Sequence, residues 1–338
     1  MKARRRVTAA DVARSLGISR ATVGFVLNDT PGQTISEPTR ARVLAEAERL
    51  GYRPHRAAKA LASGRSHIVL LVLPDWPMEH SMQSHLDQAS RVLDEAGYSL
   101  VTTTSRSDRK TKPLWEVLDP DVAVSLVPWS KKDLASLARV GVRTVIHDPG
   151  STQNESLQHD DETCRRLRFD DGPRLQVEHL RDRGRIRLAY VSLDDPRLVD
   201  LTSAREERAR QTAEEIGGVE LIDSASIDLA SPGRIEYLLS RWIASGVDGV
   251  VAYNDTVAAA VVGAAHRIGL AVPDDLAVVG HDDTPLASLF VPSLSSVHVD
   301  YSGLGRFLAE LALREAGEGS GPVREPEAVI YLISRASS

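Results

Sequence analysis

Residues 8–28 read TAADVARSLGISRATVGFVLN, a pattern that calls for two short helices joined by a tight turn. Thr8 followed three residues later by Asp11 makes a capping-box start. The hydroxyl accepts a free backbone N–H, and the carboxylate meets the positive end of the helix. The first helix is therefore expected to begin near Ala9, with Val12, Ala13 and Leu16 on one stripe and Gly17 as the left-handed residue of the turn. Ser19 is placed to cap the second helix. Val23, Val26 and Leu27 stand at i, i+3 and i+4 and face inward, leaving Arg20, Ala21, Gly24, Phe25 and Asn28 outside. Ser36 is expected to cap a third helix, with Val43, Ala47 and Leu50 on its inner stripe and Gly51 at its end. Three such helices share one small core.

A helix, a glycine turn and a second capped helix form a helix-turn-helix, whose second helix fits the DNA major groove with its N-terminal residues against base edges. Arg20, in the first turn, reaches either a guanine edge or a phosphate, and the free N–H groups beside it can hold a phosphate. Phe25 has no polar handle; it either presses on a thymine methyl or packs against its neighbours. Charge points the same way. Residues 1–66 hold 13 Lys+Arg against 5 Asp+Glu, a net +8, while the rest of the chain carries −14. A basic head on an acidic body suits a protein whose head meets a polyanion and whose body avoids it; a solvated basic tail is the alternative.

The head is followed by YRPHRAAKALASGRS. Pro54 breaks the preceding run, and residues 57–62 have high helix propensity in a piece too short to be stable alone. It is expected to order only when something packs on it, such as a second copy lying on DNA. Leu61 is its one large apolar side chain, suited to wedging into a minor-groove step; otherwise the segment is a plain linker. The organisation expected is a DNA-binding head over residues 1–53, a hinge over 54–66 and a body over 67–338.

From His67 onward, β-branched runs alternate with helical stretches, the pattern of parallel sheets wrapped by helices. HIVLLVL, YSLVTTT and VRTVIHD belong to a first lobe, and IRLAYVS, SGVDGVVAYND and DLAVVGHDD to a second. Ligands in open α/β sheets collect at the carboxyl ends of strands, where Asp148, Asn254 with Asp255, and Asp282 with Asp283 fall. Such carboxylates also serve simply to cap the next helix, a role open to both Asp255 and Asp282. Trp76 either floors the cleft or lies at an interface.

The remaining features exclude other classes. The longest apolar run, IVLLVL, is far short of the ~18 residues of a membrane span, and the basic N-terminus has neither an apolar segment nor a cleavage site behind it, so a cytoplasmic protein is expected. The single Cys164 forms no internal disulfide or cysteine metal cluster and is expected to be a small core filler. No cofactor and no metal are expected. His281 stands beside two carboxylates, but neighbours on a strand point to opposite faces, which should split that group. HExxH, P-loop and GxSxG motifs are absent, so catalysis is not expected. After Tyr331 only LISRASS follows, with no leucine heptad for tetramerisation.

VTAADVARSLGISRATVGFVLN with TRARVLAEAERLGYRPHRAAKALASGRS resembles the head and hinge helix of the LacI/GalR family of bacterial transcriptional regulators. The body resembles the same family, and through it the periplasmic sugar-binding fold, most sharply in GVDGVVAYNDTVAAAVVGAAHRIGLAVPDDLAVVGHDD and PSLSSVHVDYSGLG. The resemblance implies a homodimeric repressor on a near-palindromic DNA operator, controlled by a small sugar-like or nucleoside-like effector. It places Arg20 and Ala21 at the base-reading pair, and Thr22 and Gly24 among phosphate contacts. Thr8, Ser19, Phe25, Asn28 and Lys59 complete the DNA face, with Leu61 as the intercalating leucine. It sets Arg205, Asn254 and Asp282 against the effector, with Tyr301 as the stacking ring; Asp75, Trp76 and Asp148, beside strand ends of the first lobe, are expected to complete the effector site. Gly24 stands for a usual Ser, Phe25 for a usual Arg and Arg185 for a usual His. These departures bear on operator preference and on the effector site. The alternatives to this reading are the same DNA-binding architecture without small-molecule control, and a sugar-binding receptor.

Overall fold

The computed structural model describes residues 7–27, 32–52, 64–105, 111–146, 171–318, 323 and 330–338. Their contacts divide into two units, Met1–Ile68 with Leu118–Asp121, and the rest of the chain.

The first unit holds α1 (Ala9–Leu16), α2 (Arg20–Leu27) and α3 (Glu37–Arg49). Both bonds of the expected capping box form: Thr8 Oγ1 accepts the Asp11 N–H at 3.3 Å, and Asp11 Oδ2 accepts the Thr8 N–H at 2.9 Å. Gly17 takes φ 67°, in the left-handed region where a side chain is strained. Val12, Val23 and Val43, each fully buried, close one core with Ala13, Val26 and Ala47. At roughly 1.5–3 kcal/mol per buried valine the core is small, so the links between helices matter. One such link runs from the Ser15 hydroxyl to Glu46, whose carboxylate also takes two bonds from Arg49 at 2.7 and 2.6 Å. Ser36 departs from expectation. It occupies the cap position of α3, yet its hydroxyl bonds the Thr39 hydroxyl at 2.9 Å instead of a backbone N–H. Pro38 presets the first turn there.

The second unit is built on two sheets. The first has the order β2-β1-β3-β4, from β1 (Ile68–Leu73), β2 (Ser99–Thr104), β3 (Val122–Ser125) and β4 (Arg143–Ile146). β3 runs parallel to both β1 and β4. Their helices are α4 (His80–Glu95), the short α5 (Trp115–Leu118) and α6 (Lys131–Val140). The second sheet has the order β10-β9-β8-β7-β5-β6 and is parallel except for its antiparallel edge strand β10 (Ile330–Ile333). Its other strands are β5 (Arg187–Leu193), β6 (Glu220–Ile227), β7 (Gly249–Ala252), β8 (Ala277–His281) and β9 (Ser295–Val299). Helices α7 (Gly172–Asp182), α8 (Val199–Ile216), α9 (Pro232–Ala244), α10 (Asp255–Arg267) and α11 (Pro285–Leu289) accompany them. β7 and β8 are buried along their whole length, as strands covered on both faces must be.

Helix α12 (Tyr301–Ala316) joins the two lobes of this unit. Its first turns pack Leu304 and Phe307 on Val297 and Val299 of the second sheet. Further along, Leu308, Ala309, Ala312 and Ala316 belong to the core beneath β1 and β3. At the crossing a Cβ on Gly305 would lie 2.2 Å from the His85 carbonyl oxygen of α4, so only glycine allows the two helices to approach this closely.

Candidate functional site

On the head, the second helix presents the expected residues. Arg20 and Ala21 are exposed in its first turn, and Thr22, Gly24 and Phe25 are half-buried. The Ser19 hydroxyl accepts the Thr22 N–H at 3.0 Å and meets the Thr22 hydroxyl at 2.8 Å. Thr8 and Ser19 are exposed but engaged in capping. Among the described residues a Cβ on Gly24 would meet nothing within 4 Å, so packing against them does not impose its smallness. Asn28, Lys59 and Leu61 lie outside the described residues.

In the body the carboxyl ends of β7 and β8 define the candidate cleft. Gln176 of α7 donates through Nε2 to the carbonyls of Ala252, Val279 and Gly280 at 2.8–3.0 Å, tying α7 to the ends of β7 and β8. Asn254 follows β7 and caps α10, its Oδ1 accepting the Val257 N–H at 2.9 Å. Its Nδ2 is turned to Glu79, 3.2 Å from both carboxylate oxygens. Asp255 is therefore not the cap. It is fully buried and accepts from the Thr284 N–H, the Thr284 hydroxyl and the Ser296 hydroxyl, tying α10 to the chain after β8. A Cβ on Gly280 would fall 2.3 Å from that carboxylate, which explains the glycine in β8. Burial pushes the Asp255 carboxyl up to about 6.

β8 ends at His281, and there the expected separation of His281 from Asp282 fails. Asp282 and Asp283 take φ 91° and 46°, so the alternation of an extended strand no longer applies. The His281 Nδ1 and Asp282 Oδ1 atoms meet at 2.7 Å instead. Tyr301, the first residue of α12, donates its hydroxyl to the same oxygen at 2.7 Å, and the Arg205 guanidinium of α8 lies 3.9 Å away. Burial alone would raise the Asp282 carboxyl, but the His281 ring, Arg205 and the Tyr301 hydroxyl together hold it at about 2. Burial lowers His281, so at neutral pH the ring is uncharged and donates Nδ1–H. Arg205 is fixed twice more, donating to the Tyr253 carbonyl at 2.7 Å and lying 4.8 Å from the centre of the Tyr253 ring. Asp283 faces elsewhere, paired with Arg335 at 2.5 Å and His298 at 3.0 Å.

A cavity of about 310 Å³ opens over this group, lined by Glu79, His80, Asn254, Asp255, Thr256, Asp282, Thr284, Pro285 and Leu286. The structure thus brings Asn254 and Asp282 to one cavity, with Arg205 and Tyr301 supporting Asp282 from behind. Asp75 and Trp76 are not among its lining residues, and Asp148 lies outside the described residues. Arg185 binds the carbonyls of Pro273 and Asp274 at 2.7 and 3.1 Å, a structural role on the approach to β8. Sequence reasoning missed Glu79 and Tyr253. Glu79 follows the carboxyl end of β1, the position that drew attention to Asp282, so the same signal was present for it.

A helix-turn-helix head and a two-lobed α/β body with a polar cavity at its strand ends define the class of DNA-binding transcriptional regulators. Residues 8–55 match the bacterial regulatory proteins, lacI family, and residues 177–338 match the periplasmic binding protein-like domain. The HTH-type transcriptional regulator reg1 of Streptomyces lividans is 30% identical, with 97% of this chain and 96% of that protein covered. The ribose operon repressor of Bacillus subtilis is 29% identical over 90% of each chain. Among solved structures, the lac repressor dimer bound to operator and the anti-inducer ONPF superposes with a TM-score of 0.72 at 20% identity, covering 98% of this chain and 99% of that one. The transcriptional regulator CelR in complex with cellobiose gives 0.60 at 26% identity, covering 98% and 100%. The chain belongs to the lacI family of bacterial regulatory proteins.

Proposed function

We propose that this regulator is a cytoplasmic, non-enzymatic repressor that binds a pseudo-palindromic operator as a homodimer. The head over residues 1–53 reads the major groove, the hinge over 54–66 orders on DNA, and the body over 67–338 pairs the subunits and takes a small effector. The observation that carries the reading is the second helix, buried on its valine face and capped by Ser19, with Arg20 and Ala21 exposed at the end that enters a groove. Two-fold pairing predicts two half-sites about one helical turn apart. The exposed Leu289 and Val291 beside α11 supply apolar surface of the kind a dimer buries. In the cleft, Asn254 and Asp282 contact the effector, and Arg205 and Tyr301 keep Asp282 in place.

Selecting fragments from random duplexes with the full-length protein tests this. A two-fold motif is expected, with affinity falling steeply as salt rises, because phosphate contacts release counterions. Absence of salt-sensitive binding to any duplex would sink the reading. A second reading, regulation without a small molecule, draws on one observation: the Asn254 amide is already engaged on both sides, by Val257 and by Glu79.

A further inference from the structure

The Asn254 amide has one end committed to the α10 cap, so only Nδ2 faces the cavity, and Glu79 holds it. Glu79 comes from the first lobe and Asn254 from the second, so the carboxylate occupies the place where an acceptor on a bound molecule would sit. A ligand that engages Asn254 must displace this carboxylate and then satisfy it, because an ionised group in a half-buried site is costly when left without a partner.

Charge narrows what can do so. Among the described residues the lining includes three carboxylates, from Glu79, Asp255 and Asp282, and no lysine or arginine. Asp282 has its counter-ion in Arg205 and its donors in Tyr301 and His281. Asp255 is enclosed by the Thr284 and Ser296 donors. Among the described residues Glu79 receives a hydrogen bond only from the amide of Asn254; burial, with Asp282 and Asp195 adding to it, pushes its carboxyl up against the pull of Asn254 and the more distant Arg205. Anionic ligands such as sugar phosphates or sugar acids would add like charge to this surface.

Resting on the cleft reading above, we infer that Glu79 is a specificity-determining residue that selects a polyol carrying a protonated amine. The ammonium takes the Glu79 carboxylate, and a neighbouring hydroxyl accepts from Asn254 Nδ2. An amino sugar has both groups on adjacent carbons.

The test is calorimetry on the full-length protein at about pH 7, where such amines are substantially protonated. The probes are matched sets: glucosamine, glucose, N-acetylglucosamine and glucose 6-phosphate, with the galactose and mannose counterparts. At least one amine should bind tenfold or more tighter than both its parent sugar and its N-acetyl form, with the phosphate weakest. Glu79→Gln should erase the amine preference, bringing the amine's affinity on that variant to within about threefold of its parent sugar's on the same variant, and Glu79→Asp should retain the preference. A neutral sugar that binds as well as its amine, or a preference that survives Glu79→Gln, overturns the inference and leaves the cleft reading intact. If no amine binds, the inference falls as well. The cleft reading is then judged separately, by whether any neutral polyol or nucleoside binds the wild type but not the Asp282→Asn variant.

Discussion

Replacing Asp282 with Asn keeps the size of the side chain and removes the main charge set against Arg205. Both side chains are nearly buried, 11% and 6% exposed, so the guanidinium would remain desolvated with its main counter-charge gone. Asp282→Asn is expected to lower unfolding free energy by about 3 kcal/mol, read by urea denaturation of the body transition. The two buried carboxylates of the cleft also respond oppositely to pH. Asp282 is held below its ordinary value, so its contribution is present above pH 3.8 and is lost as pH falls towards about 2. Asp255 is raised, so its contribution is present below 3.8 and is lost as pH rises through about 6. The stability difference between wild type and Asp255→Asn should therefore shrink by up to roughly 3 kcal/mol between pH 4 and pH 7, then stay level. A difference that grows over that interval would contradict the assignment. The Asp282 environment was only half legible in the sequence. The residue was singled out by its position at a strand end, but its bond to His281 depends on a left-handed backbone at a non-glycine position, which no alternation rule anticipates.

At the scale of elements, the head was legible because each of its helices shows one narrow apolar stripe and one explicit start signal. Val12, Val23 and Val43 are the residues the stripes pick out, and all three are fully buried. The Ser19 cap makes a direct test. Ser19→Ala removes the acceptor of the Thr22 N–H and should cost about 1 kcal/mol, seen as roughly fivefold faster exchange of that amide in the full chain. Unchanged exchange would mean that the turn, rather than the cap, holds α2. Helix α12 was not legible in the same way. Leu304, Phe307, Leu308, Ala309 and Ala312 wrap much of its circumference because it is buried against both lobes, and such a pattern has no single stripe to read. Its place in the fold rests on Gly305. Gly305→Ala would set a methyl against the His85 carbonyl, a backbone atom that moves only with α4, and should destabilise the body by about 1–3 kcal/mol. The thermal midpoint should fall while the circular dichroism of the native state stays unchanged.

For the molecule as a whole, control of DNA binding by a ligand in the cleft is a matter of linkage. A ligand shifts the affinity of the head only to the extent that it binds the DNA-competent and DNA-free forms unequally. That inequality is reciprocal: if an effector weakens operator binding by some factor, the operator must weaken effector binding by the same factor. Couplings of this kind typically lie between about 5-fold and 150-fold. The basic head and acidic body make the measurement sensitive to salt, because phosphate neutralisation dominates the DNA term whereas the partly buried groups of the cleft are screened less. Both affinities must therefore be taken at one ionic strength. At that salt, the ratio of operator dissociation constants with and without saturating effector should equal the ratio of effector dissociation constants with and without operator. Raising the salt should weaken the DNA affinity in both states while changing the coupling ratio far less, provided the same phosphates are touched in each. An effector that enters the cleft, as shown by loss of its binding in Asp282→Asn, yet leaves operator affinity unchanged would make the cleft a binding site without a regulatory role.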